Sequence, residues 1–235
     1  MIEQSSRKVI YTEVPQHHTY AEVWDLQKHL QQKLIRSKRS GVEDAPGYLL
    51  LCQHNPVFTL GKSGSIDNLI VDKGTLEKEE TEFFKINRGG DITFHGPGQI
   101  TGYPILDLDQ YYNDVHRYVR EIEEVVIKTI SHFGINGGRE EGYTGVWISD
   151  DMGRRKICAI GVHMSRWVTL HGFALNVSTD LSYFNQIIPC GIVEDDTSVT
   201  SISQEIGKIT AISEVRCLLK KNFSEVFGYS YVEEG

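Results

Sequence analysis

The 235-residue chain has only four cysteines, Cys52, Cys158, Cys190 and Cys217, and no two of them form a CxxC pair. This scatter argues against a disulfide framework and against a zinc site of ordinary spacing. The nine histidines contain no HxxxH or HExxH pair, so no metal centre is expected. No run approaches the ~20 apolar residues that span a bilayer. The opening MIEQSSRKVIYTEV has neither an apolar run nor a small-residue cleavage pattern, so a cytoplasmic protein without a secretory signal is expected. Positive charge is in deficit, with 24 Lys and Arg against 32 Asp and Glu. The net charge of −8 argues against nucleic acid as a partner. There are no internal repeats, no low-complexity linker and no oligomerisation stripe, so the expectation is one domain over 1–235 and a monomer.

Gly61-Lys62-Ser63 has the look of a P-loop ending, but the glycine required five residues earlier is Pro56, which has no N–H to offer a phosphate. No GxGxxG follows a predicted strand, so a dinucleotide fold is not expected either.

Thr19 and Glu22 have capping-box spacing, and Tyr20, Val23, Trp24, Leu30 and Leu34 follow at helical spacing, which predicts an amphipathic helix over 20–36. Asp114 is placed to cap a second long helix that ends before Gly134. Strands are predicted at 48–52, 57–60, 82–86, 92–94, 100–108, 144–148, 155–163 and 167–177, with a hairpin turn at Ser149–Gly153. Residues 178–192 read as irregular, and short helices are predicted from Ser201 and near 213–227. Clustered strands with helices between them give an α/β or α+β fold with a mixed sheet.

Three stretches concentrate chemistry. RGGDITFHGPGQ (88–99) sets bare backbone at Gly89 and Gly90 beside Arg88 and His95. It reads either as a glycine-rich hairpin or as a pocket wall, and composition does not separate the two. AIG (159–161) and HGFA (171–174) interrupt two strands with small residues, which mark close approach of another backbone or a ligand. In QIIPCGI (186–192), Cys190 lies between Pro189 and Gly191, which favour an irregular, accessible loop. An inert buried thiol is the alternative. Cys158 is a rival thiol, two residues from Lys156 and so expected on the same strand face.

RGGDITFHGPGQITGYPILDL, KICAIGVHMS, TLHGFALNV and IIPCGI, in this order, resemble the lipoyl(octanoyl) transferase family over about residues 48–207, and HNPVFTLGKSG and VTSISQEIG also fit it. The resemblance implies a fold similar to the catalytic domain of biotin and lipoate ligases, a mixed sheet flanked by helices. It implies transfer of an octanoyl group from octanoyl-acyl carrier protein to a lysine of the lipoyl domains of 2-oxoacid dehydrogenase and glycine-cleavage proteins, through a cysteine thioester and with no cofactor. By motif position it implies Cys190 as nucleophile and Lys156 as its partner. The implied pocket is Arg88, Gly89, Gly90, Asp91, Ile92, Thr93, Phe94 and His95, with Ala159, Ile160, Gly161, Gly172, Phe173 and Ala174. Asp91 and His163 depart from the family's usual Gln and Arg, and Glu194-Asp195-Asp196 reads as a small insertion. An ATP-dependent lipoate ligase and a non-catalytic binding module are the alternatives.

The residue types suit that chemistry. A thiolate is both a good nucleophile and a good leaving group, but a free Cys with a pKa near 8.5 is only a few per cent ionised at neutral pH, and a nearby ammonium favours the anion. An acceptor lysine must shed a proton, so a residue that gives one and takes one serves both half-reactions. Arg154 and Arg155 are the expected rim contacts for an acidic carrier.

Overall fold

The structure, a computed structural model, describes residues 7–42, 44–188 and 197–233. Among them are twelve strands: β1 (Lys8–Glu13), β2 (Gly47–Cys52), β3 (Val57–Leu60), β4 (Glu82–Lys85), β5 (Ile92–His95), β6 (Gln99–Ile105), β7 (Gly138–Glu140), β8 (Tyr143–Asp150), β9 (Gly153–Ser165), β10 (Val168–Asn176), β11 (Thr197–Val199) and β12 (Ser230–Val232). The helices are α1 (Tyr20–Arg39), α2 (Lys73–Lys78), α3 (Val115–Ser131), α4 (Ile202–Ile206) and α5 (Ile212–Phe227).

The predicted capping box starts α1. Thr19 Oγ1 accepts from the Glu22 amide at 3.2 Å, and the Glu22 carboxylate accepts from the Thr19 amide at 2.8 Å. Asp114 caps α3 by accepting from the Arg117 amide. The buried stripe of α1 includes Gln27 and Gln31 among its apolar residues. Both bond to β10: Gln31 donates to the Val168 carbonyl at 2.9 Å, and the His171 amide donates to Gln27 Oε1 at 3.2 Å.

The main sheet runs β12-β1-β2-β6-β10-β9-β8-β7, and β11 pairs in parallel with β9. One core packs its face against α3 and α5; α1 covers the other face over Leu50, Tyr103 and Ile105. A second sheet, β4-β3-β5, carries its own core of Phe58, Leu60, Ile92 and Phe94. The sheets are mixed and the helices flank them, as predicted.

Several elements differ from the sequence reading. β1, β7, β11 and β12 were not anticipated. β11 and β12 are three residues each, too short to show alternation, and β12 pairs with a strand more than two hundred residues away. The strand predicted to reach 108 stops at Ile105, and residues 181–186 form a 3-10 turn capped by Asp180 where irregular chain was expected.

Candidate active site

The motif stretches converge on one cavity of about 490 Å³. One wall is the 88–95 segment with β5, and another is formed by β9 and β10. These two strands pair in unbroken antiparallel register, with Ala174 opposite Ala159 and Gly172 opposite Gly161. At Gly161 the small residue answers to backbone approach: a Cβ there would lie 2.7 Å from the Gly89 carbonyl, and Gly89 donates its amide to Val162 O at 2.9 Å. Tyr20 of α1, Tyr103 of β6 and His171 of β10, all buried, form the end under α1. Tyr143, Thr144 and Lys156 belong to the β8–β9 side. A second cavity of about 510 Å³ shares Lys156, Phe184 and Val199 with the first.

Arg88 is buried and stitches the wall to β3, donating to the Thr59 carbonyl, to Thr59 Oγ1 at 3.0 Å and to Gly89 O at 3.0 Å. From there a hydrogen-bond chain runs in one direction. Thr59 Oγ1, already accepting from Arg88, lies 3.3 Å from His95 Nε2; His95 Nδ1 lies 2.8 Å from Gln99 Oε1. Gln99 Nε2 donates to Asn176 Oδ1, and Asn176 Nδ2 donates to the Thr200 carbonyl. Since the Gln99 NH₂ is spent as a donor, its oxygen takes a proton from Nδ1, and Thr59 donates to Nε2. Thr200 in turn donates its amide to the Lys156 carbonyl at 3.0 Å. Burial, helped by the Arg88 charge, holds the His95 imidazole neutral, with a pKa pushed down to about 4. With both ring nitrogens bonded, His95 serves as a wall, and Tyr20 stacks on it with rings 9° from parallel.

Of the residues foreseen for the pocket, Arg88 to Thr93, His95, Ala159 to Gly161 and Gly172 to Ala174 line the cavity, and Lys156 joins them. Phe94 does not. It is buried in the second core, stacked on Tyr183 at 4.4 Å and edge-on to Phe184. Cys190 and the 194–196 insertion lie outside the described residues. Asp91 accepts from its neighbour Ile92 at 2.7 Å and from Asn68, whose carbonyl accepts the Ile188 amide at 2.8 Å. The Gly61, Lys62 and Ser63 amides donate to the carbonyls of Asp91, Arg88 and Gly90, so they brace the pocket wall instead of cradling a phosphate.

Two expectations are corrected. Cys158 does not share the face of Lys156. β8 and β9 shift register between the Val146–Cys158 and Trp147–Lys156 pairs, so Cys158 joins the main core while the Lys156 ammonium sits 4.4 Å over the Trp147 ring. Burial pushes the Cys158 thiol well above its ordinary value, the opposite of an activated nucleophile. Arg155 is not a rim contact: it is buried, bidentate to both Asp150 and Glu205.

The sequence reading missed His171, Gln99, Asn176 and Tyr20. Gln99 closes the quoted motif, and its link to His95 at i+4 was a usable signal. His171 adopts φ of +62°, and its Nε2 donates to Asn87 Oδ1 at 2.7 Å. Its burial pushes the imidazole pKa down to about 3, with Arg88 adding to the effect.

Residues 19–224 match the Lipoyl protein ligase A/B catalytic domain family. The chain belongs to this family. Within the lipoyl protein ligase A/B family, it is 48% identical over 217 residues to an octanoyltransferase of Cytophaga hutchinsonii, covering 88% of each chain. It is 49% identical to an octanoyltransferase of Christiangramia forsetii, covering 88% of this chain and 91% of that one. Among solved structures, a bi-partite lipoate protein ligase from Thermoplasma acidophilum has a TM-score of 0.69 at 19% identity, covering 97% of this chain and 86% of that one. A lipoate-protein ligase A bound with ATP also gives 0.69, at 18% identity and with 97% and 88% covered. At these identities the structural likeness concerns the family's fold.

Proposed function

We propose that this chain is an octanoyltransferase of protein lipoylation that takes its acyl group from octanoyl-acyl carrier protein and passes it to a lysine of a lipoyl domain, through a thioester on Cys190. The observation that carries the reading is the placement of Lys156 among the residues lining a largely apolar cavity made from the same motifs that precede the Pro-Cys-Gly segment. Octanoyltransferase is also the name of its relatives at nearly half identity.

In the first half-reaction the Cys190 thiolate attacks the carrier thioester carbonyl. A new C–S bond forms, the carrier's C–S bond breaks, and the Lys156 ammonium protonates the departing thiolate. In the second, the acceptor amine attacks the Cys190 thioester, the C–N bond forms, Lys156 takes back a proton, and Cys190 leaves as thiolate. Protons and electron pairs balance without a cofactor. Burying six methylenes of the chain contributes roughly 5 kcal/mol. Each further carbon adds little, so selection of eight carbons needs a closed end. Tyr20, Tyr103 and His171 provide it. The reading takes the enzyme as a cytoplasmic monomer.

Incubation with octanoyl-carrier protein in the absence of ATP should add one octanoyl mass to the intact chain. The adduct should be absent in Cys190→Ser and should disappear when a lipoyl domain is added. An adduct retained on Cys158 in Cys190→Ser would reassign the nucleophile. Transfer only with ATP and free acid would make the chain a ligase, and binding without turnover a carrier module.

A further inference from the structure

The side chain proposed to move protons is aimed by an irregularity in the sheet. One step on β8, from Val146 to Trp147, spans two on β9, from Cys158 to Lys156. Neighbours on a strand face opposite ways, and cross-strand partners share a face. Cys158 therefore goes with Val146 into the core, and Lys156 goes with Trp147 to the cavity. In regular register, Lys156 and Cys158 would lie on one face.

A bulge disrupts the ladder locally and leaves backbone groups needing other partners. Next to the shift, the Gly145 amide donates to Glu123 Oε1 at 3.1 Å instead of to a strand. Glu123 is a carboxylate on α3 with no solvent exposure. Its other oxygen accepts from Arg120 Nη1 at 2.7 Å and from Arg139 Nε at 3.0 Å. Three elements, α3, β7 and β8, are thus tied at one group, where two guanidinium partners offset the penalty of burying its charge. Gly145 itself has φ of +123°; a Cβ there would stand 2.5 Å from the Cys158 carbonyl and 3.7 Å from Lys156 Cε. The lysine's alkyl chain passes beside this bare Cα.

We propose that Glu123 is a positioning residue for Lys156: by accepting the Gly145 amide it holds the β8–β9 bulge, and the bulge sends the Lys156 ammonium to the cavity and the Cys158 thiol to the core. The catalytic consequence rests on the proton-carrying role given to Lys156 above; the geometric one does not.

The test uses the full chain, assayed for octanoyl transfer from carrier protein to a lipoyl domain. In Glu123→Ala, kcat should fall about 100-fold, the scale of a misplaced catalytic group, with KM for the carrier unchanged. Glu123→Gln keeps a single acceptor oxygen, which can serve Gly145 or the two guanidinium groups but not both, and should recover only part of that loss. Combined with Lys156→Met, Glu123→Ala should lower the rate no further than Lys156→Met alone. A crystal structure of Glu123→Ala should show regular β8–β9 pairing with Lys156 off the Trp147 ring. Unchanged kcat in Glu123→Ala, losses that multiply with those of Lys156→Met, or an intact bulge in that crystal would overturn the proposal. Should Glu123→Ala not fold, hydrogen exchange at the Gly145 amide decides. Protection in the native chain supports the proposal, and exchange at the rate of a solvated amide overturns it. Full-rate transfer by Lys156→Met would instead defeat the functional reading, leaving the crystal and exchange results to judge the bulge.

Discussion

Arg88 and Arg155 are both buried, and they are held in opposite ways. Arg155, at the far end of β9, is matched by two carboxylates, Asp150 and Glu205, each bidentate. Its charge is spent locally: hydrogen bonding to Arg155 holds the Asp150 carboxyl down at about 2. The bonds described for Arg88 run to neutral oxygens, those of Thr59 and Gly89. Its field reaches into the cavity and joins burial in holding His95 and His171 neutral. One arginine fastens the edge of a sheet, and the other sets the electrostatics of a pocket. Burial alone does not tell them apart; among the described bonds, the charge of the partners does.

The largest expected effect that separates the two regions is acid sensitivity. His95 is held down to about 4 and His171 to about 3, and His54, behind Tyr103, is also pushed to about 3 by its burial. These imidazoles are neutral in the fold and take up protons on unfolding, near their free pKa of about 6.5. Their contribution is complete above that pH and is lost as pH falls from 6.5 toward 4, at up to about 1.4 kcal/mol per unit for each ring. The Asp150 contribution has the same sign but is lost only lower, as pH drops from its free value of 3.8 toward 2. Thermal melts from pH 8 to 3 should show Tm falling steeply between 6.5 and 4. A flat Tm across that window would mean that the cavity side does not carry the charge penalty described.

Next in size is Arg88→Met. It strands the Thr59 and Gly89 carbonyls and should lower stability by about 2–3 kcal/mol in denaturant titration, the range of hydrogen bonds to a charged donor. Octanoyl transfer should be lost with it. The pH dependence of Tm should also become shallower, because the cation that disfavours imidazolium is gone. Smallest is Arg155→Met, which leaves a partly exposed Asp150 and a more buried Glu205 without their cation. A loss of about 2 kcal/mol is expected, below that of a fully buried pair because Asp150 can turn to water. Transfer by the folded protein should be unchanged. If Arg155→Met abolished transfer in a folded chain, the division between fastening and pocket would fail.

Much of this was legible in the sequence because it is local. Thr19 with Glu22, and Asp114 ahead of an amphipathic run, announce their helices from residues within one or two turns. The RGGDITFHGPGQ, KICAIG and HGFA stretches marked the cavity walls. Phe94, inside the first of these motifs, is not among the cavity-lining residues because Tyr183 and Phe184, from a segment far along the chain, enclose it in the second core. Arg155 was read as rim because its partners, Asp150 and Glu205, are joined to it only by the hairpin and by α4. Lys156 and Cys158 were given one face by counting residues, and a bulge undid the count.

By itself the sequence determined the helices, most of the long strands, the family chemistry and the residue types at the site, since capping, periodicity and glycine placement act over a few residues. Only the tertiary structure decided which way Lys156 points, which arginine serves the pocket, and how His95 is held neutral. Each of these depends on register, burial or a hydrogen-bond partner supplied by a distant segment, and no pattern along one strand encodes the strand or helix that will lie against it.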